Sequence, residues 1–431
     1  MSFNEWRYLK VGDVADVLNG YAFKSKDFIG EGIPVIKIKN IVPPSIDLSD
    51  AQYVSEELFN EKLRFALKYN DILISMTGSN INQISSAVGK IGRVRLKDKK
   101  LLLNQRVGKL YITDKNNCDE DFLYYYLIQD EVRYNLAASA SGSANQANIN
   151  PSQIKNITIN LPPLEEQKAI AKVLSDLDKK IETNNKINKK LEEMAQAIFK
   201  QWFVDFEFPN ENGEPYKTSG GEMVESELGM IPKGWLVDSL SNLVREVITG
   251  KTPSTKKSEN YGDKYPFVTI PDMHNKVFVT KTERYLSEEG HNLQVNKLIP
   301  KNSIMVSCIA TVGLVSISSE SVHTNQQINS IIPDSIDDLY YFYEYLKLME
   351  QKLKGIGSAG SATLNVNKGE FERIKYIYPN KKVLAQYHNI VNNNYEKIKL
   401  NEIENNSLIQ LRDTLLPKLM SGEIRVPLDK Q

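Results

Sequence analysis

Apolar and polar positions along the chain follow two patterns, and the succession of those patterns occurs twice. Short runs rich in Val, Ile, Tyr and Thr, bounded by turn residues, predict strands. In the first half these are IPVIKIKNI at 33–41 and DILISMTG at 71–78; in the second they are YPFVTIPDM at 265–273 and SIMVSCIATVG at 303–313. Each half opens on a tryptophan, Trp6 ahead of KVGDVADVLNGYAFKS and Trp235 ahead of SLSNLVREVITGKTPS. Each then carries an Asn-Gln pair, Asn104-Gln105 and Asn325-Gln326, and a tyrosine-rich segment that predicts a helix. Those segments are FLYYYLIQDEV at 122–132 and LYYFYEYLKLME at 339–350, and a Ser/Gly/Ala stretch follows each, at 138–146 and 355–364. Short strands, turns and a helix in each copy predict the α+β class: two similar mixed globules forming an internal repeat.

A longer period follows each globule. Ile170, Leu174, Leu177, Ile181, Asn184, Asn188, Leu191, Ala195, Ile198 and Trp202 alternate by four and three, the spacing of a heptad seam. The same spacing returns at Tyr387, Val391, Asn394, Ile398, Asn401, Asn405, Leu408, Arg412, Leu415 and Leu419. Asn184 matches Asn401 and Asn188 matches Asn405, and polar seam residues specify register. Two long helices packed as an antiparallel coiled coil are expected, in a pseudo-two-fold arrangement; separate surface helices, each on its own globule, are the alternative. Pro162-Pro163 and Pro379 precede the helices, and Pro209 and Pro417 are expected to limit them. The expected division is a globule at 1–160, a helix at 161–208, a second globule at 209–378 and a second helix at 379–431. A helix of roughly 38 residues spans about 57 Å, more than one ~34 Å turn of DNA.

The 431 residues suffice for more than one domain. Hydrophobic residues at 41% and charged residues at 25% exclude a disordered chain. The opening MSFNEWRYLK lacks the apolar core of a signal peptide, and no run is long enough to span a membrane. With only Cys118 and Cys308, no disulfide framework is expected, and the cytoplasm is the expected compartment. Lys plus Arg equals Asp plus Glu at 54 each, so an anionic partner must be held by local basic surface.

Catalytic motifs are missing from the sequence. It holds no HExxH, CxxC or GxSxG, and no GxGxxG opening a helix. Gly250-Lys251-Thr252 resembles the end of a phosphate-binding loop, but Arg245 stands where that loop's first glycine belongs. Asp272 has no Glu-x-Lys following at a suitable distance, and no Asn-Pro-Pro or Asp-Pro-Pro motif ends in an aromatic. His274, His291, His323 and His388 are scattered, so no zinc site is expected. A binding protein is the natural reading, with no metal and no cofactor in this chain.

Candidate contacts follow from charge. Residues 90–109, KIGRVRLKDKKLLLNQRVGK, set Lys90, Arg93, Arg95, Lys97, Lys99, Lys100, Arg106 and Lys109 against Asp98 alone. Such a strip suits a phosphate backbone; a solvated hairpin is the alternative. Beside it lie Thr77, Ser79, Asn80, Asn82, Gln83, Asn104 and Gln105, and amides read adenine as arginine reads guanine. The second globule offers Thr249, Lys251, Thr252, Ser254, Lys256, Lys257, His274, Asn275, Asn325, Gln326 and Gln327. The duplicated Asn-Gln pairs serve equally well as structural hydrogen-bonders.

These features resemble the specificity subunits of Type I restriction–modification systems. The residues that carry the resemblance are INLPPLEEQKAIAKVLSDLDKKI at 159–181, MAQAIFKQWFVDFEFP at 194–209, LIQLRDTLLPKLMSGEIRV at 408–426, ITGKTPS at 248–254 and GYAFKSKDF at 20–28. The second copy departs from the first signature, reading YPNKKVLAQ at 378–386. The resemblance covers the whole chain. It implies two target recognition domains and two spacer helices. It also implies a bipartite double-stranded DNA target, with one half-site for each globule. The partners implied are methyltransferase (modification) subunits and restriction/translocase subunits, which would hold S-adenosylmethionine and ATP. The rival from another class is a non-catalytic scaffold whose helices oligomerise.

Overall fold

The computed structural model describes residues 6–79, 88–143, 146–358 and 364–427. Two compact units divide the chain, one of Met1–Lys179 with Ile409–Gln431 and one of Lys180–Leu408. Each globule is thus grouped with a share of both long helices, whereas the sequence pattern sets the helices apart as segments of their own.

In the first unit four antiparallel strands lie in the order Ala15–Asn19, Val107–Ile112, Ile72–Ser75 and Ile91–Arg93. A smaller sheet places Ile33–Ile36 between Leu102–Leu103, parallel to it, and Gln52–Val54, antiparallel. Side chains alternate across a strand, which sorts one strand into two cores. Ile72 and Ile74 join Phe122, Tyr124 and Tyr125 of the tyrosine helix Glu120–Leu127, while Leu73 joins Ile36, Leu103 and Val107. With both faces covered, all of Ile72–Ser75 is buried, so the segment reads in sequence as a continuous apolar run.

The second unit repeats this plan strand for strand. Its order is Glu246–Thr249, Ile328–Ile332, Ile304–Ser307, Val315–Ser318 and an added Phe278–Val279. Tyr265–Val268 again lies between a parallel neighbour, His323–Thr324, and an antiparallel one, Arg284–Leu286. Ile304 and Val306 meet the tyrosine helix Leu339–Leu348, and Met305 enters the other core with Val268 and Ile328. Antiparallel pairs close each globule: Arg7–Lys10 with Thr158–Leu161, and Leu236–Ser239 with Lys375–Tyr378.

The long helices run over Leu164–Phe199 and Lys381–Ser421. They pack antiparallel, as the seam predicts. In the second unit the Asn184 amide donates to Asn405 Oδ1 at 2.9 Å, and Asn401 donates to Asn188 Oδ1 at 2.7 Å. Asn405 in turn donates to Asn185 at 2.9 Å. Ile398, Val391 and Tyr387 are fully buried beside them, with Leu191 and Ile198 partly buried against the same core. In the first unit Ile170 and Leu174 share a core with Leu416, Leu419 and Met420, and Leu415 packs at its edge. Leu177, Ile181 and Leu408 are half-buried. Arg412, a seam position, is neutralised by Asp178 at 2.8 Å. Pro417 does not end its helix, which continues to Ser421. Its missing N–H removes one hydrogen bond, and burial of Leu419 and Met420 holds the turn beyond it.

The Leu-Pro-Pro-Leu-Glu-Glu-Gln segment has a structural account. Gln167 is fully buried, donating to Pro162 and Asn117 carbonyls at 2.8 Å each and accepting from the Asp119 N–H at 2.8 Å. Glu166, also buried, takes both sides of the Arg425 guanidinium. These bonds tie the start of the central helix to its globule and to the chain's last described turn. Glu402 does similar work in the second unit, accepting from the Val277 and Phe278 N–H groups at 3.0 and 2.9 Å. Burial pushes its carboxyl up to about 7, opposed by Lys276 and the two N–H donors. Among the described residues no helix is long and apolar enough to cross a membrane.

Candidate nucleic-acid interface

The turn that follows the buried asparagine is built alike in both units. Asn104 and Asn325 are each 8% exposed. Asn104 Oδ1 accepts from the Arg106 N–H at 3.3 Å, and Asn325 Oδ1 from the Gln327 N–H at 3.0 Å. A glycine makes room for each turn: a Cβ on Gly20 would stand 2.3 Å from the Asn104 carbonyl oxygen, and one on Gly250 2.2 Å from that of Asn325. Gly250-Lys251-Thr252 is therefore the close strand-to-turn approach of the shared fold. Both asparagines are buried and hold the turn together, so they stand apart from the exposed members of the expected DNA-reading set. Gln105, Arg106 and Gln326 are the exposed residues it presents.

Around the first turn, Arg106 donates through one guanidinium nitrogen to Thr77 Oγ1 at 3.4 Å and Asn148 Oδ1 at 3.3 Å. The Thr77 hydroxyl donates to Asn148 Oδ1 at 2.8 Å, across the paired strands Thr77–Gly78 and Gln146–Asn148. Sequence spacing gives no signal for Asn148, because only strand pairing brings it to residue 77. Around the second turn, the Thr252 hydroxyl donates to the Gln326 side-chain carbonyl. Lys251, Ser254, Lys256 and Lys257 are exposed on the following loop. Gln327 is engaged instead by Asn325, which donates to it at 3.0 Å.

The basic strip does not act as one surface. Its strands, Ile91–Arg93 and Leu102–Leu103, belong to different sheets, and apart from Gln105 and Arg106 its exposed residues lie in the connection between them. Lys97, Lys99 and Lys100 lie there; Lys97 stands 5.2 Å from the Tyr69 ring centre and Lys100 pairs with Glu56. Lys109 is held by Asp71 at 2.7 Å, and Arg95 by Asn70 at 2.6 Å. Lys90 is half-buried in a cavity of about 500 Å³ with Tyr124, Arg133 and Arg412. Burial, then the nearby Arg133 charge, lowers its pKa.

Arg93 requires correction. It is 1% exposed, pairs with Asp121 at 2.5 Å and stacks its guanidinium 4.1 Å from the Tyr124 ring centre. It is a core residue, packed away from the exposed surface. Arg93→Met is expected to cost the first unit about 2–3 kcal/mol, below the usual buried-pair figure because Asp121 is 38% exposed and regains water. Denaturant unfolding of the intact chain measures this; a stability within about 0.5 kcal/mol of the parent would contradict a core role.

His274 and Asn275 are exposed but stand elsewhere, lining a cavity of about 610 Å³ with Asn188, Tyr343 and Lys347. Two histidines that look scattered in sequence meet: His291 Nδ1 lies 2.9 Å from His323 Nε2. Burial, then His291, lowers the His323 pKa to about 4, so His323 is neutral near pH 7. Ser79 is buried. Asn80, Asn82 and Gln83 lie outside the described residues. Cys118 and Cys308 are buried free thiols, each pushed up to about 12 by burial. Among the described residues no three His, Cys, Asp or Glu side chains group to hold a metal ion.

The family model for the Type I restriction modification DNA specificity domain matches residues 4–193 and 232–410. The chain belongs to that family. It is 39% identical over 355 residues to the Type I restriction enzyme HindI specificity subunit of Haemophilus influenzae, covering 70% of this chain and 77% of the relative. Over 433 residues it is 26% identical to the putative MjaX specificity subunit of Methanocaldococcus jannaschii, covering 98% and 94%. A crystal structure of a Type I restriction–modification S subunit from M. genitalium shares the fold, with a TM-score of 0.56 at 18% identity, covering 100% of this chain and 98% of that one. In this member of the specificity family each of the two matched stretches contains one copy of the turn at 104–106 or 325–327.

Proposed function

We propose that this chain is the DNA-binding specificity subunit of a Type I restriction–modification complex. Each unit reads one half-site of a bipartite duplex, and modification and restriction subunits carry out the chemistry. The observation that supports this best is the duplicated turn, which keeps its buried asparagine and exposed glutamine while the next residue changes from the exposed Arg106 to the half-buried Gln327. A scaffold that is repeated while its polar side chains differ suits two different short sequences. The long helices serve as the spacer across an unread gap. S-adenosylmethionine and ATP are assigned to the partner subunits, in keeping with the non-catalytic role of the family.

Within this reading, the exposed lysines of the connection 94–101 contact phosphate. Replacing Lys97, Lys99 and Lys100 together by Ala is expected to weaken binding to cognate and random duplexes alike. The slope of log K against log salt should fall by about one for each phosphate that these lysines neutralise. Fluorescence titrations of the chain with its modification subunits, from about 50 to 200 mM salt, give both quantities. An unchanged slope would remove these lysines from the interface; no salt-dependent duplex binding by the parent complex would overturn the function itself.

A further inference from the structure

Both copies of the turn present a glutamine, Gln105 and Gln326, but they differ at the next position and in the groups that steady the exposed side chains. In the first unit Arg106 is exposed, with one guanidinium nitrogen engaged by Thr77 and Asn148. Those two are fixed to each other by the 2.8 Å hydroxyl–amide bond and by the backbone pairing of residues 77 and 148. The remaining guanidinium nitrogens leave a fork of donors, the geometry that meets guanine O6 and N7 in the major groove. In the second unit the corresponding place beside the asparagine is Gln327, which Asn325 has taken up. The exposed side chain is Gln326. Thr252 donates to its carbonyl oxygen, which fixes the amide's orientation and leaves one lone pair and both N–H donors. That is the donor–acceptor pair that meets adenine N6 and N7.

Resting on the reading of this chain as a DNA specificity subunit, we infer that Arg106, positioned by Asn148 and Thr77, reads a guanine in the first unit's half-site, and that Gln326, positioned by Thr252, reads an adenine in the second's. Asn148, Thr77 and Thr252 act through another residue. An exposed long side chain loses rotamer freedom when it binds, and a partner that already holds it lowers that loss. Removing the partner therefore weakens discrimination without removing the reader.

The test uses the full chain with its modification subunits, expressed in a host free of DNA methylation, with methylated bases mapped by single-molecule sequencing. Binding is measured on duplexes substituted at each motif position. The parent motif should hold a guanine in one half-site and an adenine in the other. Arg106→Ala and Asn148→Ala should relax the same guanine, the first by roughly tenfold or more and the second by less. Asn148→Asp keeps an acceptor facing Arg106 and should restore discrimination, which a merely structural loss at position 148 would not allow. Gln326→Ala and Thr252→Val should relax one adenine in the other half-site. The inference is overturned if Arg106→Ala and Asn148→Ala relax different positions. It is equally overturned if the half-sites lack these bases, or if the variants leave every position as discriminating as the parent. Failure of the parent complex to methylate any defined motif would instead reject the underlying function.

Discussion

Exchanging residues 1–160 for the corresponding part of a relative with another target is expected to replace one half of the methylated motif and leave the other intact. The groups proposed to face DNA in the first unit, Thr77, Gln105, Arg106 and Asn148, all lie inside that segment. The junction is physically reasonable because Thr158–Leu161 pairs with Arg7–Lys10, so the globule's last strand closes on its first. What must match across the junction is the core in which Ile159 and Leu161 meet Ile170, Leu174 and Leu419. Each altered base pair costs about 1–3 kcal/mol, so a half-site changed at a few positions lowers affinity for the parental target by about a hundredfold or more. Mapping of methylated bases reads the outcome directly. If both halves of the motif change together, the units do not read independently.

Replacing Phe203 by Ala is expected to destabilise the second unit by about 3–5 kcal/mol. Phe203 lies in the π-helical turn Lys200–Val204 that follows the central helix, where Trp202 and Phe203 are both buried although adjacent. Its ring centre stands 4.9 Å from that of Tyr387, 5.0 Å from Tyr341 and 5.9 Å from Trp235. It therefore joins both long helices to the tyrosine helix and to the opening tryptophan of the second globule. Edge-to-face pairs add about 0.5–1.5 kcal/mol each to the area buried. Calorimetry of the intact chain should show the second unit's transition shifted down by about 8–15 °C, with the first unit's unchanged. A shift of under about 2 °C would mean that this ring does not carry the packing.

Much of the architecture was legible because it depends on local period. The four-three spacing from Ile170 to Trp202, and its counterpart from Tyr387, determined two helices with a shared seam. The asparagines matched in the repeat as Asn184 with Asn401 and Asn188 with Asn405; their contacts cross, Asn184 to Asn405 and Asn188 to Asn401, and only the structure shows that. The short apolar runs located strands, although Ile38–Asn40 and Ile270–Met273, within two of them, fold as helical turns, and their order in sequence determined the repeat.

What the sequence could not decide is which side of a local pattern faces protein. A run of cations reads the same whether solvated or buried, and only the packing of Tyr124 and Asp121 makes Arg93 a core residue while Lys97 stays exposed. Glu402 looks like any solvated helix position until the loop at 277–278 supplies two N–H donors. Asn148 and Thr77 are 71 residues apart, and their pairing, like that of His291 with His323, is a product of strand placement. Period and composition are properties of neighbours along the chain, so they determine elements and their repetition. A binding group needs neighbours in space, and those were decided by which faces the two cores of each unit left uncovered.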